Sequence, residues 1–233
     1  MSSIKTTLHF IANEEQTERP LDVAVTDLVV AGWTGRDVSA LEAHIKELEA
    51  LGVARPKSTP IFYRGAASLL THNQAIEVVG DASSGEVEPV LVGTSDGLWL
   101  GIGSDHTDRK VEAIGVTISK QLCAKPLARG LWRFESVKNH WDELIVRSWI
   151  VQNNERRLYQ EGSLKNMRHP KDLLTLYGGE QFALPQGTIM FCGTIAVHGD
   201  LSHSDSFEME IEDPVLQRKL NHKYQVVELP IEG

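Results

Sequence analysis

A chain of 233 residues, 41% hydrophobic and 24% charged, has enough apolar content to bury one large core and needs no second domain. Its formal net charge of −9 excludes a broad basic surface for nucleic-acid phosphates, and no run approaches the ~20 apolar residues of a membrane-spanning helix. Met1 to Glu14 lacks an apolar signal region, and Cys123 and Cys192 form no zinc-type spacing. The expectation is one soluble cytoplasmic domain over residues 1–233, binding neither nucleic acid nor membrane.

In chain order, Thr6 to Ile11 and Leu21 to Ala31 read as strands. Helical periodicity follows. Ser39-Ala40-Leu41-Glu42 fits a capping box, Leu41, Ile45, Leu48 and Leu51 form an apolar stripe, and Gly52 supplies a stop. A helix over about 39–51 is predicted. On it His44 and Glu47 lie one turn apart, beside the stripe, which suits either an oriented general base or an exposed ion pair.

Strand signals then dominate. Pro60 to Arg64, Ala75 to Val79 and Val87 to Val92 are short β-type runs, and Trp99 to Ile102 is another, ending at Gly103. On a strand, Glu86 and Glu88 point to one face about 7 Å apart. That pattern is a common solvated face, or half of a site for a hard divalent cation. Pro89 suggests an edge strand or a strand end.

Asp105 follows the Trp99–Ile102 run, suited to a metal or to capping a helix over Asp108 to Ile114. Arg109, four residues on, could bind a substrate carboxylate or pair with Asp105. Leu144 to Val151 and Arg157 to Gln160 read as strands with Gly162 as a turn, and Lys171 to Tyr177 as a short helix. Thr188 to Thr194, Phe207 to Ile211 and Tyr224 to Pro230 complete a β-rich α+β pattern. Gly101-Ile-Gly103 lacks the remainder of a dinucleotide fingerprint, His198, His203 and Asp205 have no metal-ligand spacing, and Trp132, Trp141 and Trp149 suit a core or an interface.

Taken in order, several segments resemble the fumarylacetoacetate hydrolase superfamily, in particular its short single-domain acylpyruvate hydrolases and oxaloacetate decarboxylases. They are Gly35-Arg36-Asp37, His44-Ile-Lys-Glu47, Pro60-Ile-Phe-Tyr63, Glu86-Val-Glu88 and Asp105-His-Thr-Asp-Arg109. Ser119-Lys120 with Pro126, Gln160-Glu-Gly162, and Gly187 to Gly199 with Gly193-Thr194 inside it continue the series. Four departures stand out: three extra residues between Gly35 and His44, Ile195 in place of proline, Lys110 in place of aspartate, and Glu112 where many members have glutamine.

The resemblance implies a mixed β-sandwich or β-roll with a short lid helix, usually dimeric. It also implies Mg²⁺ or Mn²⁺ held by Glu86, Glu88 and Asp105. Catalysis would fall to His44, Glu47 and Lys120, and substrate binding to Arg109, Gly193 and Thr194. The implied reaction is C–C cleavage of a 2-oxo or 2,4-dioxo acid through a metal-stabilised enolate, by hydrolysis or decarboxylation. A hydratase or isomerase of a 2-oxo-enoate, or a non-catalytic binding relative, stays open as an alternative.

Overall fold

A computed structural model describes residues 5–14, 17–50, 55–179 and 183–232, without the side chains of Ala40, His44, Glu47, Leu48 and Ala50. Two mixed sheets organise these residues. The larger has eight strands, in the order Thr17–Val25, Thr6–Glu14, Gly130–Arg133, Gly97–Ser104, Val87–Thr94, Thr188–Phe191, Asp27–Gly32 and Ile61–Gly65. The smaller has five, in the order Glu155–Ser163, Ile145–Gln152, Ser206–Asp213, Arg218–Leu229 and Ala75–Val79.

Alternation of side chains explains how both faces of the large sheet are used. Val29, Ala31, Val87, Leu91, Leu100 and Trp132 pack with Val146, Ile150, Phe207, Ile211 and Val226 of the small sheet. The intervening residues, among them Leu28, Val30, Val90, Val92, Trp99 and Phe191, form a second cluster drawn almost wholly from the large sheet's own strands. The sheet therefore curls over itself, which is why Val87–Thr94 reads as an unbroken apolar run after Glu88.

Several local expectations change. The Leu21–Ala31 stretch is two strands, because Thr26 hands the chain from the Thr6–Glu14 pairing to Gly187, whose carbonyl accepts from the Thr26 N–H at 2.8 Å. The helix spans Val38–Ala50 and its cap is Asp37, not Ser39: Asp37 Oδ1 accepts from the Ser39 N–H at 2.8 Å. Ile45 of the predicted stripe is buried, whereas Leu51 and the Gly52 stop lie outside the described residues.

Val87–Thr94 is a central strand, so the edge reading of Pro89 fails and the strand-end reading holds. The Pro89 carbonyl accepts from Cys192 N at 3.1 Å, so its ring nitrogen faces the end of the shorter Thr188–Phe191 strand, where no N–H is needed. Gly162 lies within the Glu155–Ser163 strand instead of turning the chain.

Candidate metal centre

Glu86 and Glu88 continue the Val90–Val92 face toward the start of their strand, while Asp105 leaves the end of the neighbouring strand. The register sets Glu88 opposite Gly103, and Asp105 N donates to the Glu86 carbonyl at 3.0 Å. Carboxylate oxygens of Glu86, Glu88 and Asp105 consequently lie within 4.8 Å of one another.

Three cations surround them. Lys120 Nζ sits 2.6 Å from Asp105 Oδ2, and Lys125 Nζ 2.7 Å from Asp105 Oδ1. Arg109 lies against Glu86, not Asp105, at 3.1 Å; its Nε donates to Ser84 Oγ and its other terminal nitrogen to Glu112 Oε2, both at 2.7 Å. Asp108, not Asp105, caps the short helix Arg109–Glu112.

Burial raises a carboxyl pKa, and neighbouring cations lower it. For Asp105 burial is opposed by Lys120 and Lys125, which hold it well below the usual carboxylate range. Glu88 is different: burial, then Asp105 and Glu86, push it well above that range. Among the described residues its one hydrogen-bond donor is the Gly193 N–H, 2.7 Å from Oε2. A buried carboxylate beside two others, with one donor of its own, needs a cation. The oxygen-only donor set suits a hard divalent ion, so the cluster fits a divalent metal site.

Gly193 meets this cluster through its N–H, and Thr194 braces the turn beside it. Thr194 Oγ1 donates to the Val87 carbonyl at 2.7 Å, and Gln160 Nε2 donates to Thr194 Oγ1 at 2.8 Å and to the Ile195 carbonyl at 2.7 Å. Gln160 Oε1 in turn accepts from Val87 N at 3.0 Å and Ser148 Oγ at 2.9 Å. Gly193 has φ +95, and a Cβ there would lie 1.9 Å from Thr34 Oγ1. Only glycine suits that backbone and that approach.

Behind Asp105, His106 is buried between Tyr224 OH at 3.0 Å and Ser83 Oγ at 2.9 Å. Burial, then Lys125 and Arg109, push its pKa down to about 3, so the ring is neutral. Tyr63, whose hydroxyl pKa is raised by burial, shares the electrostatic environment of Lys120 and Glu112. The side chains of His44 and Glu47 lie outside the described residues, as their helix is described by its backbone there. Its entry is stitched to the body: Arg168 N donates to the Thr34 carbonyl at 2.8 Å, Arg36 N to the Asn166 carbonyl at 3.0 Å, and the Arg36 guanidinium pairs with both Asp142 oxygens at 2.7 Å.

Sequence reasoning missed Lys125 and Ser84. Lys125 is fully buried, and its signal was a lone lysine inside the apolar run Cys123 to Ala128.

A family model described as "Protein of unknown function (DUF2848)" matches residues 31–224. No curated protein is significantly similar in sequence. The fold, however, is shared. A protein from Oleispira antarctica assigned as a fumarylacetoacetate isomerase/hydrolase superposes with TM-score 0.67 at 22% identity, covering 94% of this chain and 99% of that one. One from Burkholderia cenocepacia assigned as a fumarylpyruvate hydrolase gives 0.59 at 18%, over 99% and 100%. A 2-keto-3-deoxy-D-arabinonate dehydratase complexed with magnesium and 2,5-dioxopentanoate gives 0.60 at 19%, over 93% and 79%. These similarities establish the fumarylacetoacetate hydrolase fold. No helix among the described residues is long and apolar enough to cross a membrane.

Proposed function

This chain belongs to the DUF2848 family and has the fumarylacetoacetate hydrolase fold, and we propose that it is a divalent-metal-dependent enzyme cleaving a C–C bond in a small 2-oxo acid. The observation that carries this reading is the convergence of Glu86, Glu88 and Asp105 with the Lys120 ammonium. The three carboxylates would hold Mg²⁺ or Mn²⁺. Bound there, the ion supplies Lewis-acid polarisation of a 2-oxo carbonyl.

The chain's own groups do the remaining work. Gly193 N–H orients Glu88, and Gln160 fixes the Gly193–Thr194 turn through Thr194 and Ile195. Lys120 has three N–H donors and faces Asp105 and Glu112, leaving one for a ligand oxygen on which negative charge develops. For hydrolysis, His44 oriented by Glu47 takes a proton from the water that attacks C4 of a 2,4-dioxo acid. Decarboxylation requires no such water. The helix Val38–Ala50, closing over the ligand, would exclude bulk solvent. The same reading carries the expectation of a cytoplasmic homodimer.

A second reading, a dehydratase or isomerase of a related 2-oxo acid, is favoured by the magnesium-bound dehydratase that shares the fold. One assay separates the two. A panel of 2,4-dioxo acids and oxaloacetate is followed for pyruvate release with Mg²⁺ or Mn²⁺, with EDTA, and in Glu86→Gln. Metal-dependent release, lost in EDTA and in the variant, is the expected result. Metal binding that requires Glu86 without carbon–carbon cleavage of any compound overturns the cleavage reading in favour of the second.

A further inference from the structure

Glu112 is a fourth carboxylate beside the metal centre, paired with two of its cations. Its side chain is 27% exposed, against 16% for Glu86 and 1% for Asp105. It binds Arg109 at 2.7 Å and lies 3.6 Å from Lys120. Arg109 is held by hydrogen bonds to Ser84 and Glu112 and by its ion pair with Glu86, so its charge is shared between two carboxylates, although Nη2 has no hydrogen-bond acceptor among the described residues. Lys125 is fully buried between Asp105 and the His106 carbonyl, to which it donates at 2.5 Å.

Among the described residues, the carboxylates Glu86, Glu88, Asp105 and Glu112, all ionised as they would be around a bound cation, face the cations Arg109, Lys120 and Lys125, leaving one negative charge. A divalent cation turns that into one positive charge. One ligand carboxylate neutralises it, and a second would meet Glu112 where each cation is already shared with a carboxylate and no net positive charge remains.

We propose that Glu112 restricts this centre to 2-oxo monocarboxylic acids with an uncharged distal end and rejects dicarboxylates. The inference rests on the 2-oxo acid reading above and narrows it, favouring acylpyruvates with a neutral acyl group over oxaloacetate.

The test is calorimetric binding to the Mn²⁺-loaded full chain, comparing 2-oxohexanoate with 2-oxoglutarate, two ligands of similar length that differ in the distal carboxylate. Wild type should bind 2-oxohexanoate at least about tenfold more tightly, since like-charge juxtaposition without a partner is strongly disfavoured. Glu112→Gln should tighten 2-oxoglutarate by about tenfold while moving 2-oxohexanoate by less than about twofold, and Glu112→Asp should keep the wild-type ratio. Equal wild-type affinities, or a ratio unchanged in a folded Glu112→Gln that still binds Mn²⁺, overturn the assignment while leaving the 2-oxo acid reading intact. Should Glu112→Gln fail to fold, the wild-type ratio and Glu112→Asp decide. Binding of Mn²⁺ with neither ligand bound removes the 2-oxo acid reading, and this inference with it.

Discussion

The metal centre and the helix Val38–Ala50 are built on opposite principles. Glu88 sits on a central strand and Asp105 just past the end of its neighbour, both almost wholly buried, with their carboxylates fixed by Gly193, Lys120 and Lys125. The helix Val38–Ala50 is held at its entry by exposed or half-exposed groups, Asp37, Arg36 and Asp142, and by the buried Ile45 along its length. Charge that must stay in place is buried and enclosed by counter-charge, where breaking a pair is costly. The helix entry is tethered instead by an exposed ion pair that costs little to exchange.

Lys125→Met is the sharpest way to break that contrast. It leaves Asp105 Oδ1 and the His106 carbonyl without their shared donor, inside the core. A loss of about 3 kcal/mol is expected, or roughly 10 °C in Tm, since breaking a buried pair strands the remaining charge. Added Mn²⁺ should restore part of it, read by thermal unfolding with and without the ion. A variant as stable as wild type in the absence of metal would show that Lys125 is not what holds Asp105.

Gly193→Ala tests the joint between the two regions, because its Cβ would strike Thr34, the residue that leads into the helix entry. The left-handed backbone and the clash together should cost about 2–3 kcal/mol and weaken Mn²⁺ affinity through Glu88. Unchanged Mn²⁺ affinity, measured by titration, would separate the Gly193 turn from the ion. The smallest effect on stability belongs to Arg36→Ala. Its ion pair with Asp142 is exposed, so stability should change by no more than about 1 kcal/mol. The measurable consequence is a raised KM with kcat nearly unchanged. If the Arg36 variant destabilises the fold as strongly as Lys125→Met, the helix entry belongs to the core and the contrast fails.

Much of the metal centre was legible because strand alternation is local: two glutamates at i and i+2 share a face whatever the topology. Asp105 was legible as a carboxylate at the end of an apolar run. The partners of these groups were not. Arg109 pairs with Glu86 because its short helix, capped by Asp108, turns it toward Ser84, and helical spacing from Asp105 is irrelevant where residues 105–108 are extended or paired as strand. Lys125 reaches Asp105 through a short parallel pairing of Lys125–Pro126 with Leu70–Thr71, a long-range contact that no local pattern encodes. Cap choice failed for a simpler reason. Asp37 and Ser39 are both good N-caps, and the chain's crossing over Met167 at Gly35 decides between them.

The neighbours of Val87–Thr94 have one more consequence, for the order in which this protein can come into being. Its partner Thr188–Phe191 and the Gly193 amide that holds Glu88 are encoded some hundred residues downstream, and Thr188–Phe191 also pairs in parallel with Asp27–Gly32 near the beginning. A nascent chain that has reached Asp105 possesses all three carboxylates yet lacks the strand and the amide that set them. Closing so wide a loop precedes any reward from the contacts it permits, so the acidic cluster matures late, after most of the polypeptide has left the ribosome. Until then its charges stand in water, and the ion-binding geometry belongs to the nearly finished molecule.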